Sequence, residues 1–400
     1  MTDIAVIILV GQEKIHMQRC MEKLVAFSPR QIFVVESQED DGGHQIALDS
    51  AAKLGWRVQE DDQSSAVHLQ PSPTLSLAPH PSTTLSLVFH AWPGTQARQF
   101  NWALDNLPIQ TKWVLRLDAD EYLCPELIVE IKSKLETLPD DVTGVAFHLR
   151  RVFMGRVIRR GLPRIKMIRL FRYGKARCEQ RLMDEHIELL EGRSVEFDGD
   201  FADHNLNDIG WWIAKHNGYA LREAVDLLDL EYGILEGSNA ADAAGSKVQT
   251  ACGLVQTRLT PLVQEGSNGL RPGSNAAGKP TLELSGGLEG QAAEKRAKKM
   301  RYARMPLFWR AFAYFCYRYF LRGGFLEGKE GFLWHFLQGW WYRTLVDAKV
   351  WEIKRASGGD PQKMLALLRD KYGLLRPPSG RNGECKNGRG TGAECAQDMQ

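Results

Sequence analysis

What this chain lacks narrows its chemistry before any motif is read. Its seven cysteines are scattered without a C-x-x-C pair, which argues against a disulfide framework and a zinc site and leaves reduced thiols as the expectation. No apolar run approaches the roughly 20 residues of a membrane-crossing helix; the longest uncharged stretch of the aromatic region is Gly331 to Tyr342. Met1-Thr2-Asp3 supplies no basic leader, and the apolar run from Ile4 to Val10 is too short for a signal peptide, so a cytoplasmic location is expected. The formal net charge of +2 is too small to name a polyanionic partner. Gly11-Gln12-Glu13 is not a Gly- and Lys-rich phosphate loop, which counts against a nucleotidyltransferase.

What is present is the balance of a globular protein: 400 residues, 44% hydrophobic and 25% charged, enough for a large catalytic domain with an appendage. Ile4 to Leu9 is a continuous apolar run, as in a strand buried on both faces. Met17, Cys20, Met21, Leu24 and Val25 follow at helical spacing. Gln31 to Val35 is a second β-branched run, and Ile46, Ala47, Ala51 and Leu54 suggest a second helix. Alternation of this kind predicts an α/β fold: a mostly parallel, Rossmann-like sheet flanked by helices, with ligands near the strand ends at Gly11 and Glu36.

PSPTLSL at 71–77 returns as PSTTLSL at 81–87, so 64–87 reads as a surface insertion in a catalytic domain spanning 1–236. A helix around Ala97, Phe100, Leu104 and Leu107 then leads to a strand from Trp113 to Leu117. Residues 237–293, with GSNAA at 237–241 and 273–277, read as a flexible low-complexity insertion. An aromatic, basic helical region is expected over 294–376 and a disordered tail over 377–400.

Asp118-Ala119-Asp120 follows that last strand. On extended backbone, residues i and i+2 point the same way, so two carboxylates can face one cation. Hard oxygen ligands suit Mg²⁺ or Mn²⁺ bound to substrate phosphates. Asp184-Glu185 offers a carboxylate able to take the proton of an attacking hydroxyl. In Asp203-His204-Asn205, His204 either completes the metal site or is a structural histidine.

From Arg150 to Arg181 the chain is dense in Arg and Lys and nearly free of acids. Such strands suit a phosphate-bearing acceptor, the diphosphate of a donor or nucleic acid, or else form a solvated basic face. No nucleic-acid fold signature accompanies them, so nucleic acid is not expected as a partner. Residues 301 to 354 interleave aromatics with cations, among them Arg318, Arg322, Trp340 and Trp341. This pattern fits either an anionic membrane surface or an aromatic core against the catalytic domain.

The order VIILVG, IFVVES, FNWALDN, WVLRLDADEYL, LMDEHIEL, DHNL, KHNGYALREA, RYFLRGGFLEGKEGF and WYRTLVDAKVWE resembles bacterial family-2 glycosyltransferases, in the branch that includes lipopolysaccharide core β-glucosyltransferases. The resemblance implies a GT-A fold and an inverting transfer of a hexose from a nucleotide-sugar donor to a glycan or lipid-linked acceptor. It implies a divalent cation on Asp118 and Asp120 and a base at Glu185 or its neighbour Asp184. Glu36, where the family usually has Asp, would face the nucleotide with Ser37 and Asp41, and Asn101 would lie near the donor. Peripheral attachment to the inner face of the cytoplasmic membrane agrees with a lipid-linked acceptor. The readings carried beside it are a non-catalytic sugar-nucleotide or glycan-binding module and a nucleotidyltransferase on a similar fold.

Overall fold

The computed structural model describes residues 2–37, 42–60, 83–180, 185–234 and 301–372. The expected low-complexity stretch at 237–293 and the tail at 377–400 lie outside them.

Strand β1 (Thr2–Val10) is the axis of the molecule. Its residues from Ile4 to Val10 are buried on both faces, which is why the run is apolar throughout instead of alternating. Ile4, Val6, Ile8 and Val10 pack under helices α1 (Lys14–Phe27) and α2 (Gly43–Leu54). Ala5, Ile7 and Leu9 pack on the opposite side under α3 (Gln96–Asn106). Thr95 caps α3 by accepting from the Arg98 amide at 3.2 Å. Val25 departs from expectation: it is exposed at the rim of α1.

β1 is flanked by two parallel neighbours, β2 (Pro29–Glu36) and β5 (Trp113–Asp118). Outside β2 lie β4 (Thr84–Phe89) and β3 (Arg57–Glu60), also parallel. The expectation that 64–87 is a surface insertion is therefore wrong at its end. TLSL of the second repeat is part of β4, with Leu85 and Leu87 buried. Repetition masked a strand whose apolar residues are spaced by two, as strand residues sharing a face must be.

Beyond β5 the sheet becomes mixed. Its full order is β3-β4-β2-β1-β5-β9-β7-β12-β6, with β8 (Arg156–Val157) paired to β7. β9 (Lys166–Arg172) runs antiparallel to both β5 and β7 (Val142–Phe153). β12 (Arg193–His204) is parallel to β7, and β6 (Glu121–Leu123) is antiparallel to β12. Helix α4 (Pro125–Lys134) covers this half on the side of α1. A short hairpin of β10 (Ala176–Cys178) and β11 (Ile187–Leu189) stands apart.

Helix α5 (Ile209–Tyr232), capped by Asp208, leaves the sheet and joins a helical layer. That layer contains α6 (Trp309–Cys316), a π-helical turn at Tyr317–Leu321, a 3-10 turn at Gly324–Glu327 and α7 (Gly328–Trp334). A second π-helical stretch, His335–Trp341, runs into α8 (Tyr342–Ser357), followed by α9 (Pro361–Asp370). Tyr342, Val346, Val350 and Ile353 of α8 pack on Ala220, Ala224, Val225 and Leu228 of α5. No helix among the described residues is long and apolar enough to cross a membrane.

The aromatic region is part core and part exposed. Trp334 and Tyr342 are core residues, and Trp341 packs against both helical clusters. Arg318, expected on an interface, is almost completely buried. Other aromatics of the same region stand exposed, and they are taken up below.

Candidate active site

The carboxyl end of β1 lies between two acidic strand ends. Its Leu9 is in register with Asp118 of β5, and its Val10 with Glu36 of β2. The crevice at the carboxyl ends of such strands is where open α/β sheets receive ligands. Glu36 holds the His44 imidazole of α2 at 3.1 Å. Asp41, the other acid expected toward the nucleotide, lies outside the described residues.

Asp118 and Asp120 are half-buried. Glu121, the residue that follows, is buried beneath them and holds the turn: one carboxylate oxygen accepts from the Asp118 amide at 3.1 Å, the other from the Arg169 guanidinium of β9. Arg116, also buried, lies 3.8 Å from Asp118 Oδ1, and Arg169 lies 3.9 Å from Oδ2. Burial works against ionisation of Asp118, but Arg116, Arg169 and Lys215 outweigh it and hold the carboxyl below its usual range. Asp118 Oδ1 is buried and accepts no hydrogen bond.

Asp120 sits differently. Its carboxylate accepts from Asn205 Nδ2 at 3.0 Å. Burial, then the neighbouring charges of Asp203 and Asp118, push its pKa up to about 6. A cation beside Asp120 would offset the charges of Asp118 and Asp203. The unsatisfied Asp118 oxygen and the crowded Asp120 carboxylate together fit a hard divalent cation. Among the described residues, no group of three or more His, Cys, Asp or Glu is placed to hold a metal ion, so an ion on Asp118 and Asp120 would need its other ligands from substrate or water.

The D-x-D turn is clamped from behind. The His204 amide donates to the Asp120 carbonyl at 3.0 Å, and Arg19 of α1 donates to the same carbonyl at 3.4 Å and to that of His204. His16, fully buried, accepts from the Leu206 amide at 2.9 Å, which ties the loop after β12 to α1. His204 thus joins the turn through its backbone. Its imidazole lies beside the Tyr122 ring, with centroids 6.3 Å apart. Burial, then Arg19, lowers the His204 pKa.

Glu185 is described and Asp184 is not. Glu185 lies within electrostatic reach of Arg116 and Cys178. Asn101 spends both ends of its amide on Cys178: Nδ2 donates to the carbonyl at 2.8 Å, and Oδ1 accepts from the amide at 2.9 Å. Asn101 therefore anchors the β10 strand that leads toward Glu185. Lys215 on α5 is a further cation within electrostatic reach of both Asp118 and Asp120.

The basic segment is largely neutralised by carboxylates distant in sequence. Arg150 bonds Asp200 at 2.9 Å, Arg151 bonds Asp203, Lys166 bonds Glu196, Lys175 bonds Glu191 and Arg177 bonds both oxygens of Asp105. Arg172 is buried and donates to the Val142 and Pro139 carbonyls at 2.8 and 3.1 Å. Arg150, Arg151, Lys166 and Arg172 knit β7, β9 and β12 together, and Arg177 ties β10 to α3.

Several of these residues carried no separable sequence signal. Arg19 and His16 lie on a helix far from any acidic motif. Asn205 and Glu121 adjoin motifs that were legible, and adjacency was the one clue to them.

No family model matches the chain, and no curated protein matches it. Among solved structures, S. aureus TarS 1-349 is similar at 11% identity and a TM-score of 0.34, over 57% of this chain and 66% of that one. The 4-diphosphocytidyl-2C-methyl-D-erythritol synthase of Anaerococcus prevotii DSM 20548 is similar at 13% identity and a TM-score of 0.26, over 42% of this chain and 71% of that one. At these scores the likenesses carry no argument about activity.

Proposed function

We propose that the chain is an inverting glycosyltransferase that moves a hexose from a nucleotide-diphosphate sugar to a glycan or lipid-linked acceptor. The observation that supports this reading is the convergence at the end of β5. Asp118 and Asp120 lie in each other's field, and Glu185 acts on the same Arg116 that flanks Asp118. A Mg²⁺ or Mn²⁺ ion held by Asp118 and Asp120 would stabilise the charge that the departing diphosphate gains. Glu185 takes the proton of the acceptor hydroxyl as its oxygen bonds to the anomeric carbon and the bond to the diphosphate breaks. Attack opposite the leaving group inverts that carbon. Lys215 adds positive charge beside the two aspartates, where the donor phosphates would lie.

The test is a panel of nucleotide sugars with Mn²⁺, followed by binding and turnover. Asp120→Asn should remove cation-dependent donor binding without loss of stability, because it relieves repulsion from Asp118 and Asp203. Glu185→Gln should lower turnover about 10²-fold or more while donor affinity holds. Transfer that proceeds in EDTA with Asp120→Asn would overturn the metal assignment. Pyrophosphate released from a sugar phosphate and a nucleoside triphosphate would indicate a nucleotidyltransferase instead. Donor binding without any turnover would indicate a binding module.

A further inference from the structure

The helical layer carries an apolar ridge that the folded chain leaves uncovered. Leu321 is 80% exposed, Trp309 72%, Phe320 57%, Leu326 54% and Phe325 50%. Four of these five side chains flank the Arg322-Gly323-Gly324 bend between the π-helical turn and the 3-10 turn. Its rings are connected, in part through the buried Phe315. Trp309 touches Phe312, Phe312 touches Trp340, and Trp340 stacks on Phe315, with ring centroids 6.4, 5.2 and 5.5 Å apart. Phe315 meets Phe320 at 6.4 Å, and Tyr319 meets Phe325 at 6.4 Å. An exposed apolar surface of this extent is a docking site more often than a chance feature.

Charge identifies what docks there. Between Arg301 and Leu326 the sequence holds five arginines and no acid. Arg310 and Arg318 are buried, whereas Arg301, Arg304 and Arg322 are exposed, Arg322 within the bend itself. The next two acids do not offset them: Glu327 is buried and accepts from the Arg159 amide at 3.2 Å, and Glu330 faces Arg156 at 3.5 Å. A second copy docking on this ridge by two-fold symmetry would bring arginines against arginines. An anionic bilayer surface suits both components, with rings at headgroup level and arginines among lipid phosphates.

We infer that this ridge docks the protein on anionic lipid bilayers, with Leu321 and Phe325 at the inserting bend. The inference goes beyond the transfer reaction and stands or falls separately from it. The ridge is rooted toward the catalytic half, because Trp334 beneath it packs on Phe153 of β7 and Trp212 of α5. A substrate carried on a lipid would then meet the enzyme at the surface that holds it.

The experiment is flotation of the full chain with phosphatidylcholine vesicles, with and without phosphatidylglycerol. Binding should require phosphatidylglycerol and weaken with salt. Leu321→Ser with Phe325→Ser should weaken binding about tenfold or more at unchanged melting temperature, since both side chains already stand in water. Arg322→Glu should reduce the preference for anionic lipid. Brominated lipid should quench a fluorescence component that Trp309→Phe removes. Equal flotation of the double variant and the parent chain would overturn the inference. So would failure of the parent chain to float, and so would a dimer in solution that the double variant dissociates without any vesicle binding.

Discussion

Glu121 shows how one side chain can serve both the fold and the proposed chemistry. It is buried, it fixes the Asp118 amide, and it neutralises Arg169. Burial raises its own pKa well above the usual carboxylate range, against the pull of Arg169. Such a pair is costly to break from one side, because the surviving charge is stranded in the interior. Glu121→Gln should therefore destabilise the protein by about 3 kcal/mol, read as a shift in urea midpoint. Because the D-x-D turn loosens with it, Mn²⁺ affinity should fall as well. A variant with parental stability and parental Mn²⁺ affinity would show that Arg169 finds sufficient compensation in Asp118. The sequence made Asp118 and Asp120 legible because their spacing is itself chemical. Glu121, Asn205 and Arg19 were not separately legible, because their roles depend on strands and helices that meet only in the fold.

Elements were legible in proportion to how far their pattern is local. β1, β2 and β5 are buried on two faces and read as apolar runs, interrupted in β5 by Arg116. The second half of the sheet is held by ion pairs such as Arg150–Asp200, fifty positions apart, and a run of arginines does not disclose its partners. The π-helical stretches were equally invisible. One of them begins at His335, which is fully buried. A Cβ on Gly161 or Gly324 would meet its ring at 2.3 and 2.6 Å, so both positions require glycine for this approach, and Gly161 also has φ +75°. Burial, then the Arg318 charge, lowers the His335 pKa from 6.5 to about 4. The folded form is neutral, so its contribution is complete above pH 6.5 and declines as pH falls through that value toward 4. Stability should drop by about 3 kcal/mol across this window from His335 alone. His335→Gln should flatten that part of the profile, as followed by urea unfolding at several pH values. An unchanged slope would mean that the ring is not kept neutral.

Elsewhere in the helical layer, the start of α6 depends on a buried pair. Asp347 of α8 accepts from the Phe308 amide and from Arg310 Nε, both at 2.7 Å. Arg310 also donates to the Tyr302 and Ala303 carbonyls at 3.2 and 3.0 Å. Asp347→Ala leaves the Arg310 charge and the Phe308 amide without that partner, at a cost of about 3–5 kcal/mol. The loss should appear as a lowered melting temperature. Donor binding at the far sheet end should be preserved at temperatures where the variant remains folded. Loss of donor affinity in that folded range would mean that the two regions are coupled more tightly than their separate cores suggest.

At the scale of the whole molecule, the question is how the sheet and the helical layer act as one body. The sheet has apolar cores on both faces, and α8 with α5 forms another. Between them lies a small aromatic bridge in which Phe153 of β7 meets Trp212 of α5 at 6.2 Å and Trp334 of α7 at 5.2 Å. Arg151 reinforces it by lying 5.3 Å over the Trp334 ring while bonding Asp203 near the active site. The bridge thus spans the distance between the proposed chemistry and the proposed membrane ridge. Phe153→Ala should cost about 3–5 kcal/mol, the usual range for a buried aromatic truncated to alanine. Phe100→Ala, on the buried face of α3 against the sheet, should cost a similar amount, but the two losses should differ in kind. Removing Phe100 weakens one core and leaves the connection intact, so unfolding should stay a single transition at lower denaturant. Removing Phe153 weakens the connection itself, so the helical layer should separate from the sheet and give two transitions. Far-UV circular dichroism and tryptophan fluorescence, followed through the same urea titration, should coincide for Phe100→Ala and diverge for Phe153→Ala. Coincident curves for Phe153→Ala would mean that the remaining contacts of α5 with both layers suffice to make the protein unfold as a unit.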